Sequence, residues 1–174
     1  TCPALVGCLT AGHSLACFLN SALCQLEVNM SSSIYIAGAS AELARCKDAI
    51  AIVREAGLTV AWDWPLNIEL VGSLRDEEHT REVLADAARE SMLAIRSARY
   101  FWLLLPNVES QGAAFEFGYA IRERVCRALH YAEQPLTTVL SGERVKSIFW
   151  TQADRHFAHD AEALAWILDD AAKQ

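Results

Sequence analysis

Between Tyr100 and Arg122 the chain reads YFWLLLPNVESQGAAFEFGYAIR, and this stretch limits the possible folds more than any other. Tyr100 to Leu105 is apolar at every position, without alternation, and Pro106 closes it. A strand buried on both faces has that pattern, and such strands belong to parallel sheets covered by helices on either side. Pro106, Asn107, Ser110 and Gly112 predict a loop. Ala113 to Val125 predict a helix, and Glu116 falls one turn into it, between Phe115 and Phe117. A carboxylate there lies just past the carboxyl end of the buried strand, the edge at which open α/β sheets bind ligands. It also suits the positive end of a helix dipole, so its position alone admits a structural role as well.

The flanking segments supply a sheet for that strand. Ser33 to Ala37 predicts a short apolar strand, followed by a small-residue turn, Gly38-Ala39-Ser40. Ser40 is placed to cap the next helix, and Glu42 lies in its first turn. Leu43, Ala44, Cys46, Ile50, Ile52 and Val53 give that helix an apolar stripe, and Gly57 ends it. Leu58 to Trp62 predicts a second strand, closed by Asp63-Trp64-Pro65, which completes a right-handed β-α-β unit. Asn67 to His79 predicts a loop with the charged run Arg75-Asp76-Glu77-Glu78. Thr80 to Ser97 predicts a helix. Leu136 to Leu140 predicts a fourth strand, Ile148 to Trp150 a short fifth, and Ala161 to Ala172 a last helix. Strands and helices alternate, so the expected class is α/β: a three-layer α-β-α sandwich, flavodoxin-like or Rossmann-like, with a parallel sheet of four to five strands.

Several functions are excluded or disfavoured by composition and motif. The chain has 174 residues, 53% of them hydrophobic and 21% charged, enough for one domain with a core. Its net charge of -7 argues against a nucleic-acid polymer as partner. A mononucleotide remains compatible, since a helix N-terminus and a few arginines hold one phosphate; Arg45, Arg75 and Arg99 are the candidates. No apolar run spans a bilayer as a helix, so no membrane partner is expected. No cysteine pair has zinc-ligand spacing, so no metal is expected, and the later Cys46 and Cys126 suit a reducing, cytoplasmic setting. The sequence contains no GxGxxG, no GxxxxGK[ST] and no GxSxG, which removes the dinucleotide fingerprint, the Walker loop and the hydrolase elbow. Residues 1–29 carry one charge, Glu27, and no Lys or Arg. That is unlike a signal peptide. Two readings stand: an addition upstream of a natural start at Met30, or an accessory apolar extension that covers a partner. The folded domain is expected over 30–174.

Five segments together resemble one family. They are SIYIAGASA at residues 33–41, the helix ending Glu55-Ala56-Gly57, the turn Trp62-Asp63-Trp64-Pro65, the strand FWLLLP, and QGAAFEFGYA. With SGERVKSIF further on, they look like the nucleoside 2-deoxyribosyltransferases, especially the short, phage-type members. The resemblance covers residues 33–168, and its most specific part is the Glu-x-Gly-Tyr-Ala core. It implies a flavodoxin-like fold, a small-molecule nucleoside or nucleotide and a free base as partners, a homo-oligomer, and no cofactor. It also implies that Glu116 attacks the anomeric carbon to give a covalent deoxyribosyl-enzyme, which a second base or water then resolves. That chemistry suits a carboxylate facing an oxocarbenium-like transition state. By the same resemblance, Tyr35 orients the carboxylate. Gly38 and Ser40 line the sugar pocket, Ser110 and Gly112 lie in the loop before the nucleophile helix, and Asp63 and Trp64 meet the base.

One departure stands out. The family pattern of the Asp-Leu-x-x-Ile type reads Ser91-Met92-Leu93-Ala94-Ile95 here, so Ser91 stands where an Asp thought to handle the leaving base belongs. A serine hydroxyl donates a hydrogen bond but is no general acid near neutral pH. Asp86 and Glu90 are near in sequence, yet on a helix Glu90 points about 100° away from Ser91. Two functions follow as expectations: an enzyme cleaving or exchanging the N-glycosidic bond of 2'-deoxynucleosides or deoxynucleotides, or a binding module of the same fold with impaired catalysis.

Overall fold

The computed structural model describes residues 33–73, 77–130, 135–143 and 148–173; the apolar 1–29 segment and Arg75 lie outside them. Five strands form one sheet: β1 (Ser33–Ala37), β2 (Thr59–Val60), β3 (Tyr100–Leu104), β4 (Thr137–Ser141) and β5 (Arg155–Phe157). Every pairing is parallel, in the order β2-β1-β3-β4-β5. The helices are α1 (Leu43–Glu55), α2 (Trp64–Ser73), α3 (Glu77–Ser97), α4 (Gln111–His130) and α5 (Asp160–Ala172). The class is therefore α/β, a parallel sheet flanked by helices in the flavodoxin-like or Rossmann-like manner.

The apolar runs settle at the centre of the sheet. All five residues of β1 and all five of β3 are buried, as expected of strands covered on both faces. Tyr35 stacks on Phe101 of β3, ring centroids 5.7 Å apart and 6° from parallel. Phe101 meets Phe117 of α4, and Phe117 meets Trp150. Among the described residues no helix is long and apolar enough to cross a membrane.

Several local expectations change. Asn67 to Ser73 is helix, not loop: α2 starts at Trp64, and Pro65 suits a first helical turn because its missing N–H is not needed there. The same helix shortens β2 to Thr59–Val60, an edge strand with only two register pairs to β1. Ile148 to Trp150 is a 3-10 turn, and β5 comes later. Ile148 and Phe149 are exposed, with only Trp150 turned inward. The edge strand is instead aligned by Asp154, whose Oδ2 accepts from the Thr138 N–H at 2.8 Å and its hydroxyl at 2.7 Å. Finally, α4 begins at Gln111, so Gly112 belongs to the first turn of the helix rather than to the loop.

Gly57 ends α1 as expected, at φ +85°. Ser40 makes no cap: Ser40–Glu42 form a 3-10 turn before α1, and neither Ala39 nor Glu42 makes a capping side-chain bond. The Glu42 carboxylate is used across space instead. Its Oε1 accepts both the backbone N–H and the Nδ2 of Asn107, each at 2.9 Å, which fixes the loop between β3 and α4.

Candidate functional site

The site is at the carboxyl edge of β1 and β3. With the strand order 2-1-3-4-5, this is where the chain reverses its direction of travel across the sheet, and a crevice opens between the loops that leave in opposite directions. Tyr35 comes from the middle of β1, Ser91 from α3 and Glu116 from the second turn of α4. Their oxygens form a closed triangle. Tyr35 donates to Glu116 Oε1 at 2.6 Å, Ser91 donates to the same oxygen at 3.0 Å, and the two hydroxyls are 2.7 Å apart. Ser91 is buried, 6% exposed, because α3 crosses β1 and packs on α4 at this point.

Both hydroxyls meet Oε1, while among the described residues Oε2 has no hydrogen-bond partner. Burial pushes the Glu116 carboxyl above its ordinary pKa, and the two donors pull it part of the way back. Tyr35 is held far above its usual range, first by burial and then by the charge and hydrogen bond of Glu116. The tyrosine therefore stays protonated and remains a donor.

Glu116 stands at the junction of two lobes, which also share Trp64, Ile68 and Gly112. The first lobe, about 250 Å³, is walled by Trp62, Trp64, Ile68, Leu84, Ala87 and Phe115, with Asn67 and Ser91 as its polar groups. The second, about 420 Å³, runs from the Gly38–Ala41 turn to the start of α4 and includes Ser40, Glu109, Ser110 and Gln111. Ser110 caps α4, its Oγ accepting from the Ala113 N–H at 3.3 Å. A flat aromatic ring suits the apolar lobe and a hydroxylated sugar suits the polar one.

The structure brings together most of the residues singled out from sequence. Tyr35, Ser91 and Glu116 touch one another; Gly38, Ser40, Trp64, Ser110 and Gly112 line the lobes. Trp64 is fixed by its Nε1–H, which donates to the Ile36 carbonyl at 2.8 Å. Asp63 lines neither lobe and is ion-paired to Arg54 at 2.8 Å. The arginine candidates are used elsewhere: Arg45 pairs with Asp160, and Arg99 donates to the Pro135 carbonyl. Asp86 and Glu90 lie on the exposed side of α3, Asp86 paired with Arg89. Trp62, Asn67, Ile68, Leu84, Ala87 and Phe115 were not anticipated as lining residues. Their signal was helical spacing: Trp64/Asn67/Ile68, Leu84/Ala87/Ser91 and Gly112/Phe115/Glu116 each repeat at three or four residues. Reading the first of these segments as loop hid it. Among the described residues no three His, Cys, Asp or Glu side chains gather as a metal site.

Comparison of this chain with protein-family models, with curated proteins and with solved structures gave no match in any of the three.

Proposed function

We propose that this chain is a nucleoside 2-deoxyribosyltransferase-like enzyme. It cleaves or exchanges the N-glycosidic bond of 2'-deoxynucleosides or deoxynucleotides, with Glu116 as the nucleophile. The observation that carries this reading is the division of labour at the Glu116 carboxylate. Oε1 is held by two hydroxyls, Oε2 has no hydrogen-bond partner among the described residues, and Glu116 lines both an apolar lobe and a polar lobe. In the reaction, Oε2 bonds to the anomeric carbon as the C–N bond breaks and its electron pair leaves with the base. Tyr35 and Ser91 keep the carboxylate oriented and bear part of its charge. A second base entering the apolar lobe, or water, then takes the sugar and restores the carboxylate. The departing base takes its proton from solvent, and the proton lost by the entering base or water returns to solvent.

The test is chromatographic. The full chain is incubated with 2'-deoxynucleosides and their 5'-monophosphates, with and without a free acceptor base, beside Glu116→Gln. A new nucleoside formed only with acceptor identifies a transferase, and free base in both conditions identifies a hydrolase. Glu116→Gln is expected to lower release at least about 10³-fold while keeping the fold. Unchanged release in that variant would sink the proposal.

A second reading is favoured by one residue. Ser91 cannot act as a general acid, so the same pocket also fits a module that binds a nucleoside or nucleotide without cleaving it. It predicts a ligand-dependent rise in Tm with no base release, growing with ligand concentration. The expected homo-oligomer belongs to both readings. Exposed Phe115, Ile148 and Phe149, 64, 78 and 67% accessible, support it, and sedimentation of the full chain measures it.

A further inference from the structure

The base-facing half of the pocket, taken with the glycosidic reading above, restricts which substrates the site can turn over. We propose that it acts on deoxynucleosides whose base departs without a proton from the protein: bases that leave as stabilised lactam anions, as uracil-type rings do, or N7-alkylated purines that leave neutral.

Two observations carry this. The apolar lobe is walled by Trp62, Trp64, Ile68, Leu84 and Phe115, and the one titratable side chain among its described residues is Glu116 itself. Glu116 must be ionised to attack, so it has no proton to give. The second observation is where the nearby hydroxyls point. Tyr35 and Ser91 both lie within hydrogen-bond distance of Oε1 and of each other. With Glu116 ionised, three oxygen–oxygen contacts share two protons. Both protons are committed inside the triangle, and neither is spare for the base. Asn67 can recognise a ring edge through its amide but does not titrate at any ordinary pH.

The electron balance is then fixed. The Oε2 lone pair forms the C–O bond while the C1'–N pair leaves on the base. An anionic base takes its proton from water after departure. Water later adds at C1', the C1'–O bond breaks to return the carboxylate, and the extra proton goes to solvent. Each step is complete without a proton from the described side chains of the apolar lobe, so the acidity of the departing N–H sets the barrier. A site holding a general acid would level such differences.

A series of 5-substituted 2'-deoxyuridines tests this, because fluoro, bromo, unsubstituted and methyl uracils differ in acidity with little change in shape. Single-turnover base release is measured with the wild-type chain, in H₂O and D₂O, with Glu116→Gln as the blank. The expected result is a rate that rises about fivefold or more per pKa unit of the leaving base, with a solvent isotope effect of about one. A slope under about twofold per unit, or an isotope effect of about two or more, overturns the inference while leaving the glycosidic reading intact. No release even from the 5-fluoro substrate by the folded protein overturns both.

Discussion

Glu116 is a carboxylate that folding would rather protonate. Burial raises its pKa above the ordinary value of 4.5, and the Tyr35 and Ser91 hydroxyls offset only part of that. A folded-state pKa above the unfolded one means that the native state binds the proton more tightly. This contribution to stability is therefore fully present below the unfolded pKa and is lost as pH rises through the folded one. At neutral pH the ionised Glu116 carboxylate costs stability, as desolvated charges do. Glu116→Gln keeps an acceptor for both hydroxyls and removes the charge. It is expected to raise Tm at pH 7 by roughly 2–4 °C, on the order of 1 kcal/mol, with the gain shrinking toward pH 4. Thermal melts of the two proteins across that range measure it, and a lower Tm for the variant at pH 7 would contradict the assignment of Glu116 as a desolvated charge.

Between elements, the tightest constraint lies where β1 turns into α1. A Cβ placed on Gly38 would come 2.5 Å from Cys46 Sγ, so glycine is required for the turn to lie against the helix that follows. Burial pushes the Cys46 thiol up to about 11, which marks it as packing material rather than a reactive group. Gly38→Ala is expected to destabilise the protein by about 1–3 kcal/mol through overpacking. Gly38→Ala combined with Cys46→Ala is expected to recover most of that loss, because the clashing sulfur is gone. A double-mutant cycle in denaturant measures the coupling, and purely additive effects would show that the clash is relieved some other way. The turn bears on the proposed site because its residues 38–41 form one wall of the polar lobe.

Across the whole molecule, Arg45 ties the carboxyl edge together. Its guanidinium donates to both oxygens of Asp160 at 2.8 Å, to the Leu105 carbonyl at 2.8 Å and to the Ser141 carbonyl at 3.4 Å. It also pairs with Glu42 at 3.2 Å, the residue that anchors Asn107. One side chain thus links α1, the ends of β3 and β4, and the start of α5. Burial pushes Asp160 up, but the hydrogen bonds from Arg45 and Ser141 outweigh it and hold its pKa below the ordinary value of 3.8. The sign is opposite to that of Glu116: this stability is present above the unfolded pKa and lost as pH falls through the folded one. Arg45→Met is expected to cost about 2 kcal/mol at pH 7, since the pair is partly exposed and screened. The difference from wild type should narrow as pH drops below 4. Denaturant midpoints in steps from pH 7 down to about pH 2 check both, and a loss that stays constant over the whole range would rule out the ion pair as the cause.

The sequence alone determined the class of the fold and where Glu116 stands in it. The unalternating run from Tyr100 to Leu105 admits little but a central parallel strand, and the Glu116 helix has to start at its carboxyl end. Those are local consequences of chain polarity and hydrophobic period. Where the local signal was weak, the sequence misled. Trp64-Pro65 reads equally as a turn or as a helix start, and an apolar Ile148-Phe149-Trp150 reads equally as strand or as 3-10 turn. Packing against neighbours distant in sequence resolved both. Only the tertiary structure could decide what Ser91 and Asp63 do. Ser91 lies 56 residues from Tyr35 and 25 from Glu116, and no periodicity reports that α3 and α4 pack so that three oxygens meet. Asp63 has the right sequence position for a ligand, but Arg54 lies within 2.8 Å and holds it. Chain direction and hydrophobic pattern are one-dimensional properties and can be read along the sequence. The partner of a polar side chain is fixed only when elements far apart in the chain come within about 3 Å of each other.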